Sequence, residues 1–354
     1  MPVGVSKQRQ HLANQSGLLF RGHIRGNSST TIGFFDNNNV IRGSSIAHGV
    51  SILTLIKTAK LPNSNNQIVV ASGSSGRRVW HLNPVTNTWT QIYTSTAITT
   101  GVDICMDSTA GKFYIVFISS SGTTSIRVRM IIGTISNPTA TISTDTGLTD
   151  PGAAAYTVAW NPQGTLLAVR TQNTIRTYTR SGDTVSLFAT SYSLSGGQTG
   201  TGFEDISWNS TGTVLAASDR TTTNIIRYSV ASGGALTSIG TTALTESDTL
   251  PMFNPNTNFD GVLALPNNDV QRLRLAYYTS ASGSLVGAVT SPISMGLALV
   301  IQGRWSPTGD KFAAINDGEV EVYNFIGINS TITRAFTLLA SYATSSSGFD
   351  FVYY

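Results

Sequence analysis

Four histidines and one cysteine are the side chains in this sequence best suited to bind a metal ion or to act as a nucleophile. The histidines are His11, His23, His48 and His81, and their separations match no zinc-binding pattern. Cys105 lies in the apolar segment DICM, where no nearby histidine would activate its thiol. We therefore expect no catalytic residue, no metal ion and no cofactor, and we interpret Cys105 as a buried, unreactive thiol.

Nucleotide-binding and membrane-spanning patterns are also missing from the sequence. No glycine-rich loop follows a strand and opens a helix, as a nucleotide phosphate site requires. No apolar run approaches 18 residues, so we expect no membrane insertion. The positive charges near the N-terminus precede no apolar stretch of the kind that a signal peptide has. Only 11% of residues are charged and 40% are hydrophobic, which favours a folded chain of strands and turns.

The charged residues are distributed unevenly along the chain. Residues 1–180 contain 15 lysines and arginines and 5 acidic residues, whereas residues 181–354 contain 7 and 13. In a ring-shaped fold this makes one side basic and the other acidic, which favours oriented docking, and chance drift of charge is the alternative. Arg77 and Arg78 are candidate assembly contacts on the basic side. We expect no nucleic-acid partner, because aromatic residues are not interleaved with a basic patch.

The segment before the first strand signal is predicted to be an arm. We divide the chain into an N-terminal arm, residues 1–15, and one β-domain, residues 16–354. Lys7 and Arg9 in the arm are further candidate assembly contacts. Two interpretations stay open, a flexible tail and a tether that becomes ordered on a partner.

Repeats organise the rest of the chain. Three segments align by eye, and each has an alternating strand that ends in tryptophan, a turn with glycine, a short apolar strand and a third strand that ends in tyrosine. The three tryptophans are Trp160, Trp208 and Trp305. The first two are 48 residues apart. A period of about 40–50 residues with several short strands is typical of a β-propeller.

Weaker copies of the repeat complete a closed ring. We predict an all-β fold, a single propeller of seven four-stranded blades, with inner strands near residues 53, 103, 158, 206, 251, 302 and 350. Six and eight blades are the alternatives, because the first unit is poorly defined. The last strand, residues 349–354, is predicted to pair with strands from residues 17–43, which hides two sheet edges.

The blades resemble those of WD-repeat proteins. The segments WNPQGTLLAV from Trp160 and WSPTGDKFAA from Trp305 resemble the turn between the first two strands of such a blade. No unit has the Gly-His pair or the Trp-Asp pair of that family. The resemblance therefore implies the architecture, and fold analogy alone carries no function.

One segment resembles the Asp-box of sialidase-like propellers. In STDTGLTD, the residues Ser143, Asp145, Gly147 and Thr149 fit that motif, and Asp150 replaces its tryptophan. The motif is normally structural. A sialidase would also need a cluster of arginines with a tyrosine and an acid, and the sequence places no such residues together.

The functional expectation rests on the composition of the sequence, which is rich in Ser, Thr, Asn and Gly and poor in charged residues and cysteine. It resembles bacteriophage tail and surface proteins. We expect a non-enzymatic structural protein of a phage particle, located in the virion and assembled in the host cytoplasm. Its expected partners are other virion proteins, further copies of itself and a host-surface glycan. The alternatives are an intracellular WD-repeat-like interaction scaffold and a glycan-binding or sialidase-like propeller.

Overall fold

The structure is a computed structural model, and it describes most of the chain from residue 20 onward. The described residues are 20–36, 38–50, 53–120, 126–142, 146–149, 151, 155–194, 205–219, 223–243, 250–267, 272–288, 293–295, 300, 302–315, 319–325, 327, 336–343 and 348–353. The proposed arm, residues 1–15, lies outside them, so the division into arm and propeller stays a prediction.

The described strands form seven antiparallel sheets, which are the seven blades of a propeller. The strands of blade 1 are β1 (Phe20–Ser28), β2 (Thr31–Asp36), β3 (Ile46–Ala47) and β29 (Phe349–Tyr353). Those of blade 2 are β4 (Leu53–Lys60), β5 (Gln67–Gly73), β6 (Gly76–Asn83) and β7 (Thr88–Ser95). Those of blade 3 are β8 (Ile98–Asp107), β9 (Lys112–Ser120), β10 (Ile126–Thr134) and β11 (Thr146–Gly147).

Blades 4 to 7 follow the same order from an inner to an outer strand. Blade 4 has β12 (Ala155–Trp160), β13 (Leu166–Thr171), β14 (Thr174–Ser181) and β15 (Thr184–Ser193). Blade 5 has β16 (Ile206–Trp208), β17 (Val214–Asp219), β18 (Asn224–Val230) and β19 (Leu236–Ala243). Blade 6 has β20 (Met252–Phe253), a 3-10 turn (Thr257–Phe259), β21 (Val262–Asn267), β22 (Arg272–Tyr278), β23 (Leu285–Ala288) and β24 (Ile293–Ser294). Blade 7 has β25 (Gln302–Trp305), β26 (Lys311–Ile315), β27 (Glu319–Phe325) and β28 (Phe336–Ala343).

Blade 1 closes the ring, as the sequence predicts. Strand β29 pairs antiparallel with β1, and Phe351 lies opposite His23. The His23 ring stacks on Tyr342 and Phe349, with centroids 4.6 and 5.1 Å apart. Burial lowers the pKa of His23 to about 3, because the closed blade leaves little water to solvate an imidazolium. The predictions of seven blades and of closure by the C-terminal strand are confirmed.

The apolar second strands form the core between blades. Every residue of β5, β13, β17 and β21 is buried. Their runs of small and branched apolar residues suit a strand that is covered on both faces. The core is therefore divided into clusters that join neighbouring sheets, such as the one that includes Leu166, Ala168 and Leu215.

The turn after the inner strand explains why each strong repeat has a glycine there. In each, the chain turns with a backbone φ of +63°, +66° or +71°, at Gly164, Gly212 and Gly309. This left-handed region favours glycine, which has no Cβ to clash. In blade 4, Asn161 Oδ1 accepts hydrogen bonds from the backbone N–H groups of Thr165 and Leu166. The turn therefore fixes where each inner strand ends.

No helix in the described part of the chain is both long and apolar enough to cross a membrane.

Candidate functional site

A central cavity of about 440 Å³ lies where the seven inner strands meet. The strands β29, β4, β8, β12, β16, β20 and β25 all contribute lining residues. At one end the lining includes Lys60, the last residue of β4, and residues that follow other inner strands, namely Asn161, Pro162, Pro255 and Pro307. Concave, partly apolar cavities with a few polar groups are the usual form of small-molecule sites.

Four charged side chains line one side of this cavity. They are Arg304 on β25, Asp350 on β29, Lys57 on β4 and Asp103 on β8, and these strands are consecutive around the ring. We call this set the charged wall. Lys57 Nζ lies 3.7 Å from Asp103 Oδ1, and both side chains are partly exposed. Arg304 and Asp350 are buried. Two acids and two bases thus converge on one cavity.

The backbone of the neighbouring strands holds the two carboxylates in place. Asp350 Oδ2 accepts from the Thr58 N–H at 2.6 Å, and Asp350 Oδ1 accepts from the Phe351 N–H at 2.9 Å. Asp103 Oδ2 accepts from the Trp160 N–H at 2.7 Å. In both acids one oxygen therefore bridges to the inner strand of the next blade, which fixes the orientation of the carboxylate.

Burial shifts the proton affinities of the charged wall. It raises the pKa of Asp350, although Arg304 and Lys57 both act in the opposite direction. It lowers the pKa of Lys57, and repulsion by Arg304 adds to this, whereas Asp103 and Asp350 oppose it. Charged side chains that line a cavity and have shifted pKa values mark a candidate functional site.

The other side of the cavity carries no charge among the described residues. Five of its lining residues, Ala159, Ser207, Trp208, Met252 and Phe253, come from β12, β16 and β20, and we call this set the neutral wall. Ser207 Oγ accepts from the Phe253 N–H at 2.9 Å. Trp208 Nε1 donates to the Ala159 carbonyl at 2.9 Å. Ser207 Oγ and Trp208 Nε1 thus form hydrogen bonds between neighbouring blades.

Two of the predicted assembly residues, Arg77 and Arg78, do not line this cavity. Arg77 is fully buried, with its guanidinium 4.4 Å from the Phe117 ring centroid and Nη2 3.3 Å from the Tyr93 hydroxyl. Arg78 is half-buried and donates to the Ser95 carbonyl. Arg77 therefore lies inside the packed interior, because its cation is covered by aromatic rings, rather than on an accessible rim. The assembly role of this pair stays a prediction.

The other residues singled out in the sequence have different outcomes. Lys7, Arg9 and the histidine at position 11 lie outside the described residues, as do Ser143 and Asp145 of the Asp-box. The prediction of a buried Cys105 is confirmed, and burial raises the pKa of its thiol to about 12. A thiol of such weak acidity carries almost no thiolate at neutral pH, so it is a poor nucleophile.

The sequence reasoning missed all four residues of the charged wall. Each is a charge within a largely apolar inner-strand segment. The segments GVDICM, QGRW and FDFVY hold one charge each, and TLIKTAK also holds Lys60. The signal that would have identified them is a charged residue at the equivalent inner-strand position of successive repeats. Lys57 and Asp103 are 46 residues apart, as are Arg304 and Asp350, and this spacing of about one blade matches no local motif.

Comparison with known proteins identifies relatives by fold and not by sequence. No protein-family model matches the chain, and no curated protein matches it. Solved structures do match. The periplasmic gluconolactonase of Pseudomonas aeruginosa has a TM-score of 0.67 at 14% identity, over 94% of this chain and 99% of that one. A candidate 6-phosphogluconolactonase from Bacteroides uniformis has a TM-score of 0.66 at 12% identity, with 94% and 99% covered.

A protein of unknown function from Desulfotomaculum acetoxidans aligns equally well, with a TM-score of 0.69 at 13% identity over 94% of this chain and 98% of that one. At these identities the likeness shows the fold. The seven-bladed propeller that the sequence predicted is therefore confirmed, and the comparisons give no support to a relationship with WD-repeat proteins or virion proteins.

The comparisons correct the functional expectation. We expected a non-enzymatic structural protein of a phage particle, with an interaction scaffold or a glycan-binding propeller as alternatives. The neighbours that carry functional names are instead lactonase-type proteins, so the expectation of a protein without enzymatic activity is wrong. The error arose because composition and strand texture reflect a repetitive β-architecture, which serves enzymes and structural proteins alike. Location in a virion and the expected partners stay untested predictions.

Proposed function

We propose that the chain is a hydrolase that opens a sugar lactone, a cyclic ester, in the central cavity. The observation that carries the proposal is the charged wall, where two acids and two bases meet at a cavity of about 440 Å³. A hexose lactone fills part of such a volume and leaves room for a water molecule. The names of the structural neighbours, gluconolactonase and candidate 6-phosphogluconolactonase, support the same reaction class.

Ester hydrolysis needs two kinds of group. A general base must take a proton from the attacking water, and a cation or N–H donor must stabilise the charge that grows on the carbonyl oxygen. The charged wall supplies both kinds on adjacent inner strands. Lys57 and Asp103 are 3.7 Å apart, so a substrate that meets the ammonium also lies near the carboxylate.

Asp103 is the better base of the two acids. Its Oδ2 is held by the Trp160 N–H, and its Oδ1 makes only a long ion pair with Lys57. Asp350 is buried, and both of its oxygens accept backbone N–H bonds. A base needs a lone pair that can reach water, and Asp103 offers one from a partly exposed position. Asp350 acts as a positioning residue, because its charge holds Lys57 and Arg304 at the cavity.

The reaction balances without any further reagent. Asp103 takes one proton from water, and the water oxygen forms a bond to the lactone carbonyl carbon. The Lys57 ammonium stabilises the resulting oxyanion, and Arg304 adds positive charge to the wall. Collapse of this intermediate breaks the bond from carbon to the ring oxygen. The ring oxygen takes the proton back from Asp103, and the product is a hydroxy acid.

The test is hydrolysis of δ-gluconolactone, with the uncatalysed rate subtracted. We expect turnover by the wild-type chain and a loss of about 10²–10⁴-fold in kcat for Asp103→Asn, the range typical of a general base. Asparagine can still accept the Trp160 N–H bond, so the fold should persist. Asp107→Asn is the matched control, because Asp107 ends the same strand, pairs with Arg180 and lies outside the cavity lining.

Two results would contradict the proposal. One is a wild-type rate no higher than the uncatalysed rate for δ-gluconolactone and for other sugar lactones. The other is an Asp103→Asn variant that hydrolyses the lactone as fast as Asp107→Asn.

A further inference from the structure

We infer that the cavity selects a sugar lactone that bears no phosphate group. The inference rests on the proposed lactonase function and adds the substrate class of the same site. Three features of the cavity carry it: the balance of its charges, the use of its backbone donors and the chemistry of the neutral wall.

The first feature is charge balance. The charged wall holds two cations, Lys57 and Arg304, and two acids, Asp103 and Asp350. Each cation faces acids of the chain itself, since Asp103 and Asp350 both stabilise the charged forms of Lys57 and Arg304. A phosphate monoester carries a charge of about −1.5 to −2 at neutral pH. Placed on this wall, it would meet two carboxylates along with the cations.

The second feature is the backbone. Phosphate sites in proteins are built largely from N–H groups that point at the anion, often with a bidentate arginine. In this cavity the N–H groups of Thr58, Phe351 and Trp160 already donate to the two acids of the charged wall. The Phe253 N–H donates to Ser207. These donors are therefore engaged by side chains of the protein and do not point at a ligand.

The third feature is the neutral wall. Met252, Phe253 and Trp208 present apolar surface to the cavity. This surface suits the C–H face of a sugar ring and would desolvate a phosphate without replacing its hydrogen bonds. Lys60 is the remaining charged residue among the described lining residues, and it is the last residue of β4. One lysine gives a point charge and not a phosphate cradle.

A comparison of two lactones tests the inference. The probes are δ-gluconolactone and 6-phosphogluconolactone, each with its uncatalysed rate subtracted. We expect kcat/KM for the phosphorylated lactone to be lower by at least about 100-fold, which corresponds to about 2.7 kcal/mol. Equal or faster turnover of the phosphorylated lactone would overturn the inference and leave the proposed function intact. Turnover of neither lactone would overturn the proposed function and this inference with it.

A designed gain of preference gives an independent test. Ala159 directly precedes Trp160 in its repeat, just as Arg304 precedes Trp305, so Ala159→Arg installs on the neutral wall a residue that the same repeat position already accepts. We expect this variant to raise kcat/KM for the phosphorylated lactone, relative to δ-gluconolactone, at least tenfold. Ala159→Met, which adds similar bulk without charge, should leave that ratio unchanged.

Ser207→Arg repeats the test at the next blade, in case the first arginine prevents folding. Folding of each variant is checked by circular dichroism and thermal melting. The inference is wrong if a folded arginine variant has the same ratio of kcat/KM values for the two lactones as Ala159→Met. Lack of positive charge would then not be the reason that the cavity excludes phosphate.

Discussion

The two walls of the central cavity are built from equivalent inner strands of successive blades and carry different side chains. In the three strong repeats, the residue before the inner-strand tryptophan is Ala159, Ser207 or Arg304, and all three line the cavity. The inner strands that carry them each pair antiparallel with a largely buried second strand, and each of the three residues lies opposite an alanine. The propeller therefore allows one position in each blade to vary from methyl to guanidinium without a change of register.

The difference between the walls is one of energetic cost. The neutral wall packs like an ordinary core, so its residues stabilise the ring simply by being buried. The charged wall takes ions out of water, and such ions rarely stabilise a fold more than apolar residues of the same size would. Because burying these ions costs free energy, their presence in the cavity indicates a chemical role. The walls should therefore respond differently to substitution, in stability as well as in activity.

The largest expected effect comes from removing the buried cation of the charged wall. Arg304→Met takes away a positive charge that lowers the pKa of the buried Asp350 carboxyl group, and leaving a buried charge with less compensation typically costs about 3–5 kcal/mol of unfolding free energy. Arg42→Met is the control, because Arg42 forms an exposed pair with Asp36 that should be worth at most about 1 kcal/mol. Urea denaturation measures both. Similar losses for the two variants would show that the charged wall is energetically an ordinary surface.

Much of the fold could be predicted from the sequence, because the propeller repeats one physical solution. A strand that ends in tryptophan, a left-handed glycine and a largely apolar second strand recur at each strong copy, and each has a local cause. Trp305 shows this well, since its Nε1 donates to the Met252 carbonyl of the preceding blade. Closure was predictable for a similar reason, because an unpaired terminal inner strand and an incomplete first blade complete each other.

The site could not be predicted in the same way, because it exists only after the ring closes. Lys57 and Asp350 are almost 300 residues apart in sequence, yet the N–H of the residue after Lys57 binds the Asp350 carboxylate. Strand alternation tells which residues share a face, and it does not tell which face meets the axis. The burial of Arg77 was likewise not predictable from charge along the chain. Aromatic rings from two blades cover its guanidinium, and this contact also forms only when neighbouring blades pack together.

A smaller effect concerns the pH dependence of the charged wall. Because burial and Arg304 lower the pKa of Lys57 from 10.5, the ammonium loses its proton at a lower pH than an exposed lysine would. Lactonase activity, corrected for the uncatalysed rate, should therefore decline on the alkaline side before pH 10.5 is reached. Lys57→Arg keeps its charge over this range, so it should shift the decline to higher pH. An unchanged alkaline limb in that variant would assign the decline to another group.

The smallest expected effect sharpens the comparison most, because it separates a structural contact from a chemical one. Ser207 and Asp103 do the same structural work on opposite walls, since each accepts an N–H bond from the inner strand of the next blade. Ser207→Ala removes that acceptor, which should cost about 1 kcal/mol of stability and leave kcat/KM within about twofold. Asp103→Asn keeps an acceptor and removes the charge, so it should spare stability and lose activity. Denaturation and lactone hydrolysis, measured on both variants, should give opposite patterns. If Ser207→Ala loses activity as severely as Asp103→Asn, the distinction between a structural neutral wall and a chemical charged wall is wrong. The positioning of the inner strands would then account for the loss of activity in both variants.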